Sequence, residues 1–210
     1  MSNIQTEREA FWQQYYAGEI EGDSKLDEEP SPFAKEVISN LNSKCSLLEI
    51  GCGNGRDACF FASNGVTVVA TDVCEAAIKL TGSKLPEDCR AVVASAKCLP
   101  DDICVDYAYA RFVLHALTLE EQHDLFLWMR GHVKRKIFIE TRSVKDPRFG
   151  KGANVGNNAY VDTHYRRFMS PADLQAAANE AGLCVEVVED TTPGSGTDGA
   201  CVVRATLSIL

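Results

Sequence analysis

From residue 47 onward, short apolar runs alternate with amphipathic stretches along the chain. Runs of four to eight residues bounded by turn formers read as buried strands, and apolar positions recurring every 3.6 residues read as helix. Strands are therefore expected at Leu47–Ile50, Thr67–Thr71, Ala91–Ala94, Val105–Ala110, Lys136–Thr141, Cys184–Glu189 and Ala200–Leu207. Helices are expected between them at Arg56–Ser63, Cys74–Leu80, Leu119–Arg130 and Pro171–Ala181. Two of these helices open with explicit signals: Thr118 with Glu121 three residues on, and Ser170 followed by Pro171 and Asp173. In both, the hydroxyl caps the first turn and the acid reaches back. An earlier helix starts at "SPFAKEVISNL", with Ser31 as cap and Pro32 at the first helical position. Ahead of it, residues 5–17 read as a short aromatic helix bearing Phe11, Trp12, Tyr15 and Tyr16, followed by an acidic connector, "GEIEGDSKLDEEP", with no periodicity.

Strands alternating with helices imply an α/β fold: a seven-stranded, mostly parallel sheet with helices on both faces. The segment "DTTPGSGTDG" between the last two strands is too short for a helical crossover, so they are expected to close the sheet as an antiparallel C-terminal hairpin. A chain of 210 residues fits one domain with at most a small appendage. The expected division is residues 1–30 as an N-terminal helix and connector acting as a lid, and residues 31–210 as the main domain. One connection is anomalous: residues 143–169 show no clear periodicity and are expected to form a long loop, and loops of that length usually do something.

Composition narrows the class further. Hydrophobic residues make up 45% and charged residues 24%, no apolar run is long enough for a membrane helix, and "MSNIQTEREAFWQQYY" lacks the pattern of a secretory signal. The nine cysteines form no C-x-x-C pair and have no histidine cluster at zinc-binding spacing, so no metal is expected. Several of them (Cys59, Cys104, Cys184, Cys201) fall in apolar runs and are expected to be reduced core thiols, which points to a cytoplasmic location. A net charge of −9 argues against nonspecific nucleic-acid binding. The window 142–167 departs from it: six Lys/Arg against two acids leave about +4.

"LLEIGCGNGRDACFFA" is the most informative stretch, a strand breaking into Gly51, Gly53 and Gly55 before a helix. Glycine permits positive φ and removes the Cβ that blocks close approach. The dinucleotide fingerprint would need glycine at position 56, which is Arg56, and no G-K-[ST] follows for a phosphate loop. What fits is E-x-G-x-G-x-G, Glu49 through Gly55, followed by an acid ending the second strand in "VTVVATD". In these residues the chain resembles the class I S-adenosylmethionine-dependent methyltransferases, whose Rossmann-like element order it follows from about residue 31. The resemblance implies S-adenosylmethionine as cofactor, packed by its methionine and ribose on the bend of Gly51, Cys52, Gly53 and Gly55. It implies that Asp72, with Val73 beside it, accepts hydrogen bonds from both ribose hydroxyls, a role suited to a carboxylate's two oxygens. Glu49 would lie under the bend near the ligand's amino group, or serve as a structural hydrogen bond. In "VVASAKCLPDD", Ser95 stands where many members have an acid for the adenine, so that contact falls to Ser95 or to the backbone of Ala96. Arg111 and Phe112 stand where the family touches cofactor and acceptor, and no N/D-P-P-Y motif appears there, so the resemblance does not extend to amino methylation of DNA bases.

The acceptor side is expected from residues 143–169 and the aromatic helix. "IETRSVKDPRFGKG" with "YVDTHYRRF" resembles small-molecule methyltransferases loosely grouped with the tellurite and thiopurine enzymes. Tyr15, Tyr16, Arg142, Arg148, Lys151, Tyr165, Arg166 and Arg167 are the candidate acceptor contacts; with Lys145, the cations either surround an anionic phosphate or carboxylate or are simply solvated. His115 and His164 are the candidate bases, since imidazole titrates near neutral pH. The expected partner is a small molecule, with no nucleic acid and no membrane, and the oligomeric state is open. The alternatives are a catalytically silent cofactor-binding subunit, a protein side-chain methyltransferase and a nicotinamide-dependent oxidoreductase.

Overall fold

The computed structural model describes residues 3–16, 18, 28–191 and 199–209. Five strands run parallel: β1 (Ser46–Ile50), β2 (Thr67–Asp72), β3 (Arg90–Val93), β4 (Val105–Arg111) and β5 (Val133–Arg142). A short antiparallel sheet follows, formed by β6 (Ala153–Gly156), β7 (Ala159–Val161) and β8 (Tyr165–Arg167). The last strand, β10 (Val202–Ser208), pairs antiparallel with both β5 and β9 (Cys184–Thr191). The main sheet has the order β3-β2-β1-β4-β5-β10-β9, as the expected fold requires. The chain builds outward from β1 to β3 and then returns to β4 on the other side of β1. That reversal opens a crevice at the carboxyl ends of β1 and β4, where open α/β sheets take their ligands.

Helices α1 (Asn3–Tyr16), α2 (Pro32–Val37), α3 (Arg56–Ser63), α4 (Glu75–Gly82), α5 (Leu119–His132) and α6 (Pro171–Glu180) surround this sheet. Side chains alternate across each strand, so successive residues feed different cores. Leu47, Tyr107, Tyr109 and Phe138 pack with Phe33, Val37 and Phe61 from α2 and α3. Their chain neighbours Leu48, Ala108, Ala110, Ile137 and Ile139 pack with Leu125, Phe126, Met129, Leu174 and Ala178 from α5 and α6. The capping boxes at Thr118/Glu121 and Ser170/Asp173 are both formed. Ser31 caps α2 and also donates to Asp57 Oδ2 at 2.7 Å, an oxygen that Tyr109 reaches at 2.8 Å, which ties α2, α3 and β4 together.

Two expectations fail. Residues 143–169 are not a structureless loop, because β6, β7 and β8 occupy their second half. Every residue of β6 is exposed, and the turn into β7 uses Asn157 and Asn158 at φ 54° and 57°. A strand with no buried face has no alternation to display. The cysteine expectation fails at Cys104 and Cys184, which are exposed, and at Cys59 and Cys201, which are half-buried; Cys45, Cys52 and Cys74 are the buried thiols. Cys104 lies just ahead of β4, and Cys184 opens the edge strand β9, where an apolar run need not be covered. Most of the acidic connector (residues 19–27) and most of the final hairpin loop (residues 192–198) lie outside the described residues. Among the described residues, no helix is long and apolar enough to cross a membrane.

Candidate active site

The bend after β1 is folded back over β2. The N–H groups of Gly51 and Cys52 both donate to the carbonyl of Thr71, at 2.8 and 2.9 Å. Gly51, Gly53 and Gly55 sit at φ 71°, 54° and 77°, a region in which a side chain costs strain. Protein packs closely against these positions. A Cβ on Gly51 would stand 2.7 Å from Val113 Cγ2, and one on Gly55 would stand 2.5 Å from Thr81 Oγ1. Gly53 faces the Tyr16 hydroxyl of α1, which a Cβ there would meet.

Asp72, at the end of β2, is buried under this bend. Its Oδ2 accepts from the Gly53 N–H and its Oδ1 from the Cys74 N–H, both at 2.9 Å. Burial raises its pKa, and those N–H groups, with that of Val73, pull it back. A carboxylate has about four acceptor positions, so two remain for a pair of hydroxyls. Glu49 is equally buried, and its Oε2 has no partner. Burial and then Asp57 drive its pKa well above the usual carboxyl value, against the pull of Arg111. An orphaned carboxylate oxygen on one side of the bend and a half-satisfied carboxylate on the other fit the ammonium and ribose diol of S-adenosylmethionine.

The other expected cofactor contacts lie around this pair. The Val73 carbonyl accepts from Gln13 Nε2 of α1 at 2.9 Å. Burial, followed by Glu49 and Asp72, pushes up the thiol of Cys52, whose sulfur is 3.7 Å from Thr81 Oγ1. The Ala94 N–H donates to the Asp72 carbonyl at 2.9 Å, which sets Ser95 and Ala96 beside Asp72; the Ser95 hydroxyl, however, faces the Lys97 N–H of its own turn at 3.4 Å. Arg111 donates through Nε to Glu140 at 2.8 Å and lies 4.6 Å from the centre of the Phe112 ring. Sequence patterns missed Glu140, which also accepts from Arg204 at 2.8 Å, and Thr81, which donates to the Gly53 carbonyl at 3.2 Å. No signal marks either residue, because each acts through a fold-level contact.

On the acceptor side, the chain turns after β4 through Phe112, at φ 53°, into a 3-10 turn (Leu114–Ala116) that carries His115. His115 is buried, with Nδ1 unpartnered. The Trp12 and Phe112 rings stand 6.2 and 5.8 Å from it, at 85° and 90°. His164 stacks on Phe11 at 3.9 Å and meets Trp12 at 5.4 Å, and its Nε2 is also unpartnered. Burial, then the charges of Arg142, His164, Arg166 and Arg167, holds the His115 pKa well below the ordinary value. Burial and then Arg166 lower that of His164 to about 3, although Asp162 opposes. Both rings are therefore neutral at neutral pH.

The expected cations separate into groups. Arg142 bonds Asp146 at 2.7 Å through one terminal nitrogen while its Nε stays buried without a partner, and its guanidinium is 5.3 Å from the Phe112 ring centre. Arg166 pairs with Asp162. Arg148 is half-buried and within electrostatic reach of His164. Other expected contacts are placed elsewhere. Arg167 is buried with its guanidinium on the Leu117 carbonyl (2.9 Å), the Leu114 carbonyl and Gln122, and so pins β8 to the turn bearing His115. The Tyr165 hydroxyl lies 3.5 Å from the same Leu117 carbonyl, and Lys151 is exposed. Lys145 pairs with Asp190 at 2.8 Å. Tyr15 packs on Phe11, Trp12 and Tyr16 within α1.

A family model described as a methyltransferase domain matches residues 47–136. No curated protein matches the chain. Among solved structures, an S-adenosylmethionine-dependent methyltransferase from Methanosarcina mazei superposes with TM-score 0.72 at 14% identity, over 87% of this chain and 99% of that one. Magnesium protoporphyrin IX methyltransferase from Synechocystis PCC 6803, with bound S-adenosylmethionine, gives 0.63 at 13%, over 100% and 85%. The 1,6-didemethyltoxoflavin-N1-methyltransferase of Burkholderia thailandensis, with bound 1,6-didemethyltoxoflavin and S-adenosylhomocysteine, gives 0.74 at 16%, over 100% and 91%. At these identities the likeness is one of fold. Residues 47–136 match a methyltransferase domain, and the likeness of the rest of the chain to S-adenosylmethionine-dependent methyltransferases is one of fold.

Proposed function

We propose that the chain is an S-adenosylmethionine-dependent methyltransferase acting on a small, anionic acceptor, and that α1 is the lid over both ligands. One observation supports it above all: His115 Nδ1, Arg142 Nε and His164 Nε2 are buried without partners, on the side of the crevice roofed by Phe11 and Trp12. A buried polar atom left unpaired costs about 1–3 kcal/mol, so such a group is tolerable where a ligand completes it. The resemblance of residues 139–152 and 160–168 to the tellurite and thiopurine enzymes favours a small molecule, as do the small-molecule names of two fold neighbours.

In this mechanism, Asp72 grips the ribose diol and Glu49 the amino group, while the bend at Gly53 supports the chain between them. The bound sulfonium supplies an activated methyl group. Arg142 orients the acceptor, and the aromatic roof of α1 excludes water, so that much of the acceleration is positional. His115 and His164, both neutral, serve as hydrogen-bond partners that orient the acceptor and not as strong bases, since the burial and guanidinium charges that keep them neutral also oppose their protonation. The test is release of S-adenosylhomocysteine against a panel of small acids, repeated with His115→Gln and Arg142→Gln. Turnover with at least one acid, lost in the variants, is the expected result. Cofactor binding without turnover on any acceptor would make the chain a regulatory subunit, and turnover on peptides alone would make it a protein methyltransferase.

A further inference from the structure

An amino-acid tail is a zwitterion: whatever meets its ammonium leaves a carboxylate one carbon away that calls for a cation. Strand register supplies one. Glu49 of β1 lies opposite Ala70 of β2 and Tyr109 of β4, Arg111 opposite Glu140 of β5, and Glu140 opposite Arg204 of β10. Every second residue of a strand shares a face. Asp72, Glu49, Arg111, Glu140 and Arg204 therefore form one row across the same face of the sheet, toward the carboxyl ends of β1, β2, β4 and β5.

Within that row the two arginines are used differently. Glu140 is buried, and its Oε1 accepts from Arg111 Nε and its Oε2 from Arg204 Nε, each at 2.8 Å. Arg204 is committed further: a terminal nitrogen donates to Glu36 at 2.7 Å, and the guanidinium lies 5.0 Å from the Phe33 ring centre. Arg111 spends only its Nε. Among the described residues no protein acceptor meets its terminal nitrogens, and they are not sealed from the crevice, since the side chain keeps 13% of its exposure. Four N–H groups of the planar fork thus remain for a ligand. Glu140 and the Phe112 ring, 4.6 Å away, fix the guanidinium from two directions.

Arg111 is also the cation that acts most strongly on Glu49, ahead of Arg56, which stands 4.0 Å from Asp57. Even so, the ion pair that Arg111 makes is with Glu140, and Glu49 Oε2 is left without a partner. An acid and a guanidinium that feel one another but are not joined are the complement of a zwitterion. Resting on the methyltransferase reading above, we infer that Arg111 holds the carboxylate of the cofactor's amino-acid tail opposite Glu49, and that Glu140 is the positioning residue that aims it. A fork already held at Nε has little freedom left to lose on binding. The site therefore selects for a cofactor that keeps its carboxylate.

The test is isothermal titration of the full chain with S-adenosylhomocysteine and with its decarboxylated analogue, S-adenosyl-3-thiopropylamine, which keeps the nucleoside, the thioether and the ammonium. The wild type should bind S-adenosylhomocysteine about 10–100-fold tighter than the analogue. Arg111→Gln should bring the two within about threefold of each other by weakening S-adenosylhomocysteine alone. Glu140→Gln, which keeps the side chain's shape and removes the charge between the two guanidiniums, should give an intermediate ratio. A wild-type ratio near one would overturn the inference. So would an equal loss for both ligands in Arg111→Gln, which is what a merely structural arginine would give. An unchanged ratio in Glu140→Gln would overturn the positioning role, and the first two ratios decide the role of Arg111 however well that variant folds. All of these results leave the methyltransferase reading in place, whereas failure of S-adenosylhomocysteine to bind the wild type would overturn that reading and the inference with it.

Discussion

Replacing Glu49 by Gln isolates the cost of a buried carboxyl that waits for a ligand. Glu49 is fully enclosed, its Oε2 has no partner, and the charges around it are Asp57, Arg111, Asp72 and Arg56. Burial raises its folded-state pKa well above the unfolded carboxyl value of about 4.3. A raised pKa means that the folded state holds the proton more tightly. The stability linked to Glu49 is therefore fully present below the unfolded pKa and is lost as pH rises through the folded pKa. Glutamine has the same shape and no such loss. A pKa difference of one between the folded and unfolded states is worth about 1.4 kcal/mol, or about 3–5 °C of melting temperature in a domain of this size. Differential scanning fluorimetry from pH 4 to 8.5 should show Glu49→Gln matching the wild type at the acid end and melting higher as the pH rises. Adding S-adenosylhomocysteine should reverse the order at pH 8. The wild type gains a charge-assisted bond to the ligand's ammonium of about 1.5–3 kcal/mol, so the variant should bind about 10–100-fold more weakly. A stability difference independent of pH, or equal ligand affinity, would refute this account of Glu49.

Three further outcomes are expected. Gly53→Ala puts a side chain at φ 54° and against the Tyr16 hydroxyl; it should cost about 1–2 kcal/mol in backbone strain alone, and adding Tyr16→Phe should recover part of the total loss in a melting curve. No recovery would mean that Tyr16 is not the obstacle. Arg167→Met removes charged hydrogen bonds to the Leu117 carbonyl and Gln122 and should lower the denaturation midpoint by about 1.5–3 kcal/mol in stability, with S-adenosylhomocysteine affinity unchanged by calorimetry. Thr118→Ala breaks the capping box of α5 and should lower the melting temperature by about 2–4 °C, corresponding to about 1 kcal/mol.

The parts of the fold that declare themselves in the sequence are those fixed by local chemistry. Helix α3 runs Arg56–Ser63 as its pattern predicts, and the caps at Ser31, Thr118 and Ser170 are all used. Glu49 and Asp72 are legible as a pair because strand, bend and strand end are contiguous in the chain, and they come together in the structure through bonds between the bend and β2. The acceptor side is less legible for two physical reasons. Strand β6 buries nothing and so leaves no period, and a guanidinium's partner is decided by contacts remote in sequence. Arg142, Arg166 and Arg167 look alike along the chain, yet one keeps a free buried donor, one is paired with an acid 4 residues earlier, and one is committed to carbonyls 50 and 53 residues away. The packing around the glycines is hidden from the sequence for a similar reason: the neighbours that approach Gly51 and Gly55 are Val113 and Thr81, distant in the chain.

A single rod of 14 residues, α1, rests one end on Gly53 through Tyr16 and turns Phe11 and Trp12 onto His164 and His115. If α1 is the lid proposed above, neither compartment has a private door: spent cofactor and methylated product depart when the same rod lifts, and their exit rates rise and fall together. An engineer who reshapes Trp12 to admit a bulkier acceptor also loosens the latch at Tyr16, and has to retune cofactor retention in the same round of mutagenesis.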